Sequence, residues 1–221
     1  MIAKFEGKYP WLPYVLPMAL FMGITAVEGK SEANYPLIYI AKVIIVVIAL
    51  LMCRTALRDI RFDKQWIMPS IALGLVMLGV WVNVEQGIQY SKMGARSAFN
   101  PFEKIDDPTL RNVWMAFRFM GLALVVPVME ELFWRSFGLR IATQTDFLKL
   151  KIGEFSTTGF GIVVAVFAFS HPEWVPAAIF AAVTGLWVYH TRSIFACIVL
   201  HAVTNLGLGL YVVTQHQWKF W

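Results

Sequence analysis

The sequence predicts an all-α fold, a polytopic transmembrane helix bundle of about seven spans. Three observations predict it. Hydrophobic residues make up 58% of the 221-residue chain and charged ones only 15%, more apolar surface than a soluble domain of this size tolerates. The apolar residues fall into runs near the ~17–25 residues that one crossing needs. Between the runs lie short polar joints with clustered Lys and Arg, the pattern of the positive-inside rule.

The first run, Trp11–Val27, follows Lys4 and Lys8. It resembles a signal sequence in outline, but Glu28-Gly29-Lys30 offers no small-residue cleavage site, so it reads as an uncleaved anchor. The second, Leu37–Cys53, carries Lys42, expected to snorkel to the interface. The third, Trp66–Val84, has no charge. The fourth starts near Asn112 and runs to about Thr143. The fifth is Phe155–Ser170, the sixth Trp174–Tyr189 and the seventh Ser193–Val213. The domain division is 1–111 for the N-terminal helices and a long loop, 112–213 for the core, and 214–221 for a short tail.

Arg54, Arg58, Arg61 and Lys64 crowd one short loop, which is expected in the cytoplasm. Seven crossings then place the N-terminus, Arg140, Lys149 and Lys151 on the same side and the mixed-charge loop Glu85–Arg111 outside. The net charge of +5 suits anionic lipid heads rather than nucleic acid, because the basic residues flank apolar spans. Cys53 and Cys197 lie in separate apolar runs with no CxxC partner and read as inert buried thiols.

Three polar clusters interrupt the apolar runs: Glu130-Glu131 with Arg135, Ser170-His171, and His201 with Asn205. Ionisable groups at membrane depth are costly and mark functional sites facing a protein-lined cavity. Glu131 and Arg135 are four apart on one helix face and can pair, a structural role. Glu130 points elsewhere and is free to act as a general base for water. Pro127 is expected to free the carbonyl of Ala123 and kink the helix beside Glu130. His171 ends the fifth run at Pro172 and reads as a second base, with Phe167 one turn earlier as wall. His201 and Asn205 share a face of the seventh helix and are suited to stabilise an oxyanion. Each cluster alone also fits a bland role: a polar helix end, a capping histidine, interhelical hydrogen bonding. At ~1.5 Å per residue, however, Glu130, His171, His201 and Asn205 fall roughly 20, 24, 12 and 18 Å above the cytoplasmic ends of their helices. With tilt, they can meet in one layer. HExxH and GxSG motifs are absent. No cofactor is expected, with zinc held by Glu130, His171 and His201 as the alternative.

Glu130-Glu131-x-x-x-Arg135, then Phe167-x-x-x-His171, then His201-x-x-x-Asn205, resemble the three ordered motifs of the CAAX protease and bacteriocin-processing (CPBP, Abi) family, which includes the Rce1-type endopeptidases. The resemblance implies an intramembrane glutamate-type endopeptidase acting on a membrane-associated peptide or protein. Glu130 and His171 would activate water, and His201 and Asn205 would stabilise the oxyanion. Asn100-Pro101-Phe102 and Trp134-Arg135-Ser136-Phe137 are similar to a bacterial subgroup associated with exosortase and PEP-CTERM systems, which implies a bacterial inner membrane. Two other classes remain open. A non-catalytic immunity or assembly partner would not need all four polar residues. A proton-coupled transporter is expected to show paired discontinuous repeats, which are absent.

Overall fold

The computed structural model describes residues 8–29 and 34–221. Lys4, expected on the cytoplasmic side, and Lys30, in the stretch inspected for cleavage, lie outside the described residues. Among the described residues seven longer helices form the bundle: α1 Leu12–Glu28, α2 Tyr35–Met52, α3 Ile67–Gly87, α4 Pro108–Ile141, α5 Thr157–Phe169, α6 Trp174–Thr191 and α7 Ile194–Thr214. No strand occurs among the described residues. By length and apolarity α2, α3 with its preceding turn, α4 and α7 can cross a membrane, while α1 and α5 are apolar but shorter. On α2, Leu37, Ile44, Ile48 and Leu51 face outward, whereas Tyr39, Val43 and Val46 are buried, as for a helix with lipid on one side.

Local chemistry sets the helix starts. Proline occupies the first turn of α1, α2 and α4, where no N–H is needed. Asp107 caps α4 by accepting from Thr109 N at 2.8 Å, so the helix begins at Pro108 rather than near Asn112. Ser156 and Ser193 cap α5 and α7 in the same way.

α4 is the central element and packs against α1, α2, α5, α6 and α7. α3 lies alongside α7 through small residues. Thr204 Oγ1 donates to the Gly74 carbonyl at 3.0 Å, and a Cβ at Gly74 would sit 2.7 Å from the Leu200 carbonyl oxygen. Small residues permit such close approach in membranes. Gly74→Ala is therefore expected to push α3 from α7 and cost about 1–3 kcal/mol, read as a lower thermal midpoint in detergent; an unchanged midpoint would show that the interface can relax.

Lys42 does not snorkel. It is 2% exposed, and its Nζ lies 2.6 Å from Glu28 Oε2 and 3.1 Å from Thr25 Oγ1. The end of α1 supplies a counter-charge inside the bundle, so the ammonium has no need to reach the interface.

Candidate active site

α4 departs from α geometry on both sides of the double glutamate. Gly121–Val125 and Leu132–Gly138 are π turns that bracket Val126–Glu131. π turns widen a helix by one residue and concentrate at functional sites. In the first, Val126 N–H bonds the Gly121 carbonyl, five residues back. This register places the Leu122 carbonyl, not that of Ala123, opposite Pro127, which has no N–H to offer. Asn205 Nδ2 donates to that Leu122 oxygen at 3.0 Å. The carbonyl that Pro127 leaves free is thus satisfied from α7, and Asn205 is fixed in orientation.

Glu131 is fully buried and bridges two helices. Its Oε1 lies 2.7 Å from His201 Nδ1, and its Oε2 lies 3.2 Å from Arg135 Nε. The Arg135 guanidinium also donates to Thr184 Oγ1 on α6 and stacks on Phe167, 4.8 Å from the ring centre. Arg135, Glu131 and His201 form one chain of charge-assisted contacts across α4 and α7. A carboxylate held by arginine accepts from His201, so Nδ1 carries the proton and a neutral His201 presents a bare Nε2. His201 is therefore an oxyanion donor only when doubly protonated, a condition its sequence position does not reveal.

His171 is held similarly. Its Nδ1 lies 2.8 Å from the Phe167 carbonyl oxygen, an acceptor only, so Nδ1 donates and Nε2 is free. The Phe167 ring stacks on the imidazole at 4.5 Å. Glu130 is 7% exposed, and its Oε2 is shielded from solvent with no hydrogen-bond partner among the described residues. Such a buried acceptor is costly unless something occupies the space in front of it.

Glu130, Phe167, His171, His201 and Asn205 all line one cavity of about 460 Å³, while Glu131 and Arg135 stand behind its wall. Phe180 and Trp81 complete the apolar lining around the histidines. Among the described residues no three His, Cys, Asp or Glu side chains come together as a metal-holding group. Sequence reading did not single out Thr184, Phe180 or Trp81, because their parts depend on which helices become neighbours.

The loop after α3 is tied down beside the cavity. Arg96 Nη2 lies 2.8 Å from Glu173 Oε2, Met93 N donates to the Pro172 carbonyl at 3.1 Å, and Trp174 Nε1 donates to the Ser91 carbonyl at 2.9 Å. Burial alone would raise the Glu173 carboxyl, but the Arg96 guanidinium, with Lys92 farther off, holds it below the ordinary carboxylate range. A depressed folded-state value contributes stability above the unfolded value, lost as pH falls through the folded one. Acidification from pH 7 to below about 4 is expected to lower the thermal midpoint of the native protein more than that of Glu173→Gln. Parallel curves would show that the pair adds nothing.

Residues 112–207 match the family model described as type II CAAX prenyl endopeptidase Rce1-like. No curated protein and no solved structure matches the chain. The matched segment starts within α4 and ends in α7, so it contains all the motif residues placed around the cavity. The segment that builds this site is thus similar to the Rce1-like type II CAAX prenyl endopeptidases over less than half of the chain.

Proposed function

We propose that the protein is an intramembrane endopeptidase that hydrolyses a peptide bond of a membrane-associated substrate, with Glu130 as general base. The observation that carries this reading is the unpartnered Glu130 carboxylate oxygen on the same cavity as two histidines with free Nε2 atoms. Water between Glu130 and His171 Nε2 would give its proton to the Glu130 carboxylate and attack the scissile carbonyl carbon. The resulting oxyanion would take hydrogen bonds from the second N–H of Asn205 Nδ2 and from doubly protonated His201. Breakage of the C–N bond returns the Glu130 proton to the leaving amine and restores the carboxylate.

Each side chain has a support that suits this role. Leu122 fixes Asn205, Glu131 fixes His201, and Phe167 fixes His171 from both its carbonyl and its ring. These supports hold donors and acceptors in place before the reaction, which is where electrostatic catalysis gains most. The chemistry needs no metal on this reading. The substrate reaches the cavity from the bilayer, and the inner membrane with a cytoplasmic N-terminus is the proposed setting.

The test is purified protein in lipid nanodiscs with co-expressed small membrane proteins, products read by mass spectrometry. Cleavage at one bond, unaffected by chelator and absent with Glu130→Ala, is the expected result. Failure to cut any of them, or cleavage that stops in chelator and returns with zinc, would overturn the reading.

A further inference from the structure

Three loops meet at the end of the bundle that carries the Arg-rich stretch. They are 59–63 between α2 and α3, 148–152 between α4 and α5, and 191–193 between α6 and α7, and together they enclose a concavity of about 520 Å³. It shares no lining residue with the Glu130 cavity. Arg140, part of its wall, follows Glu130 on α4 by about 15 Å along the helix axis at ~1.5 Å per residue.

Two contacts hold the loops in this arrangement. Arg140 is buried; its Nη2 lies 2.9 Å from Asp59 Oδ2, and its Nη1 donates to the Leu150 carbonyl at 3.5 Å. Tyr14 on α1 donates to the same Asp59 oxygen at 2.9 Å. Gly153 has a φ of 74°. A Cβ there would stand 2.6 Å from the Val188 carbonyl oxygen and 2.9 Å from Arg192 Cγ. The loop after α4 therefore lies directly on the turn between α6 and α7, an approach that glycine permits.

The lining is rich in cations. Arg61, Arg140, Lys149, Lys151 and Arg192 line the concavity against two carboxylates, Asp59 and Asp63. Asp59 is committed to Arg140, and Lys149 lies 2.9 Å from Asp146. Arg61, Lys151 and Arg192 form no ion pair among the described residues. Asp63 is the remaining carboxylate, and it also caps the turn before α3 by accepting from Gln65 N at 3.3 Å. Beside these cations stand Phe62, 73% exposed, and Leu148, 54% exposed. Cations facing water gain nothing from apolar neighbours. At the level of lipid headgroups both find partners, phosphates for the cations and acyl chains for Phe62 and Leu148.

We propose that this concavity holds the phosphate of an anionic phospholipid. The planar forks of Arg61 and Arg192 suit phosphate oxygens, and Lys151 adds a point charge. A zwitterionic headgroup would bring its own cation against the three. A free phosphate would satisfy the cations but leave the apolar rim uncovered. The bound lipid would clamp the three loops together, and with them the end of α4. The site does not depend on the endopeptidase reading.

The test titrates the purified, delipidated full chain in detergent with single phospholipids and reads bound lipid by native mass spectrometry. Phosphatidylglycerol is expected to bind about tenfold more tightly than phosphatidylcholine with the same acyl chains. The advantage should vanish in Arg61→Gln/Lys151→Gln/Arg192→Gln. It should persist in Arg54→Gln/Arg58→Gln/Lys64→Gln, which removes the same charge from the same end of the bundle outside the lining. Inorganic phosphate at equal concentration should fail to displace the lipid.

Equal binding of the two lipids, an advantage that survives the first triple variant, or one lost alike in both triples would overturn the proposal. Displacement by inorganic phosphate would make the ligand a soluble phosphate and overturn the lipid assignment. Arg192 has a left-handed backbone; should its replacement unfold the protein, Arg61→Gln/Lys151→Gln is expected to lose most of the advantage, and full retention there would overturn the proposal equally.

Discussion

Glu130→Gln is expected to abolish hydrolysis while leaving the protein folded. Glutamine matches the shape of glutamate but cannot take a proton from water. Loss of a general base costs typically 10²–10⁴ in rate. Stability should hold or rise, because the variant replaces a buried carboxylate, one of whose oxygens has no hydrogen-bond partner among the described residues, with a neutral amide that is cheaper to desolvate. The measurement pairs product formation by mass spectrometry with a thermal midpoint in the same nanodisc preparation. Near-normal turnover by Glu130→Gln would remove Glu130 from the chemistry. Lost turnover with a collapsed midpoint would make it a structural residue instead.

The second large effect is expected at the neighbouring position and has the opposite character. Glu131→Gln leaves Arg135 buried without its counter-charge, and Arg135→Leu leaves Glu131 with His201 alone. Removing one member of a buried pair costs about 3–5 kcal/mol. Both variants should therefore show low yield and a depressed thermal midpoint. Activity should fall too, since Glu131 fixes which His201 nitrogen faces the cavity. The double variant Glu131→Gln/Arg135→Leu should recover part of the lost stability, because no isolated charge remains. If the two single losses simply add, the ion pair is not the source of the cost.

The bundle and the polar residues of the site are legible in the sequence for definite physical reasons. Apolar runs of crossing length announce their helices, and a polar residue inside such a run is conspicuous. The four-residue spacing of Glu131 and Arg135 places them on one face of any helix, which is why their contact needs no knowledge of the fold. What stayed hidden depends on register or on neighbours. π turns keep the apolar pattern of α4 nearly unchanged, so nothing in the side chains marks Leu122 rather than Ala123 as the carbonyl opposite Pro127. The Lys42–Glu28 pair forms between helices, and a reading of α2 alone leaves the lysine with only the interface to seek. The same applies to His201: its spacing from Asn205 shows a shared face, but only the partner at Nδ1 determines which nitrogen can donate.

The Arg135–Glu131–His201 chain also bears on how the protein is made. A charged residue at the centre of a single inserting helix carries a penalty of about 2.5–3.5 kcal/mol, and α4 holds Glu130, Glu131 and Arg135 together. The histidine that completes the chain lies 70 residues downstream of Glu131, on the last long helix. At ~5–20 residues per second, synthesis reaches it about 4–14 s later. During that interval α4 has no α7 to lean on, so it must wait at the insertion machinery or beside α1 and α2. Release of α7 is accordingly expected to be the step that lets the glutamate-bearing helix settle into lipid.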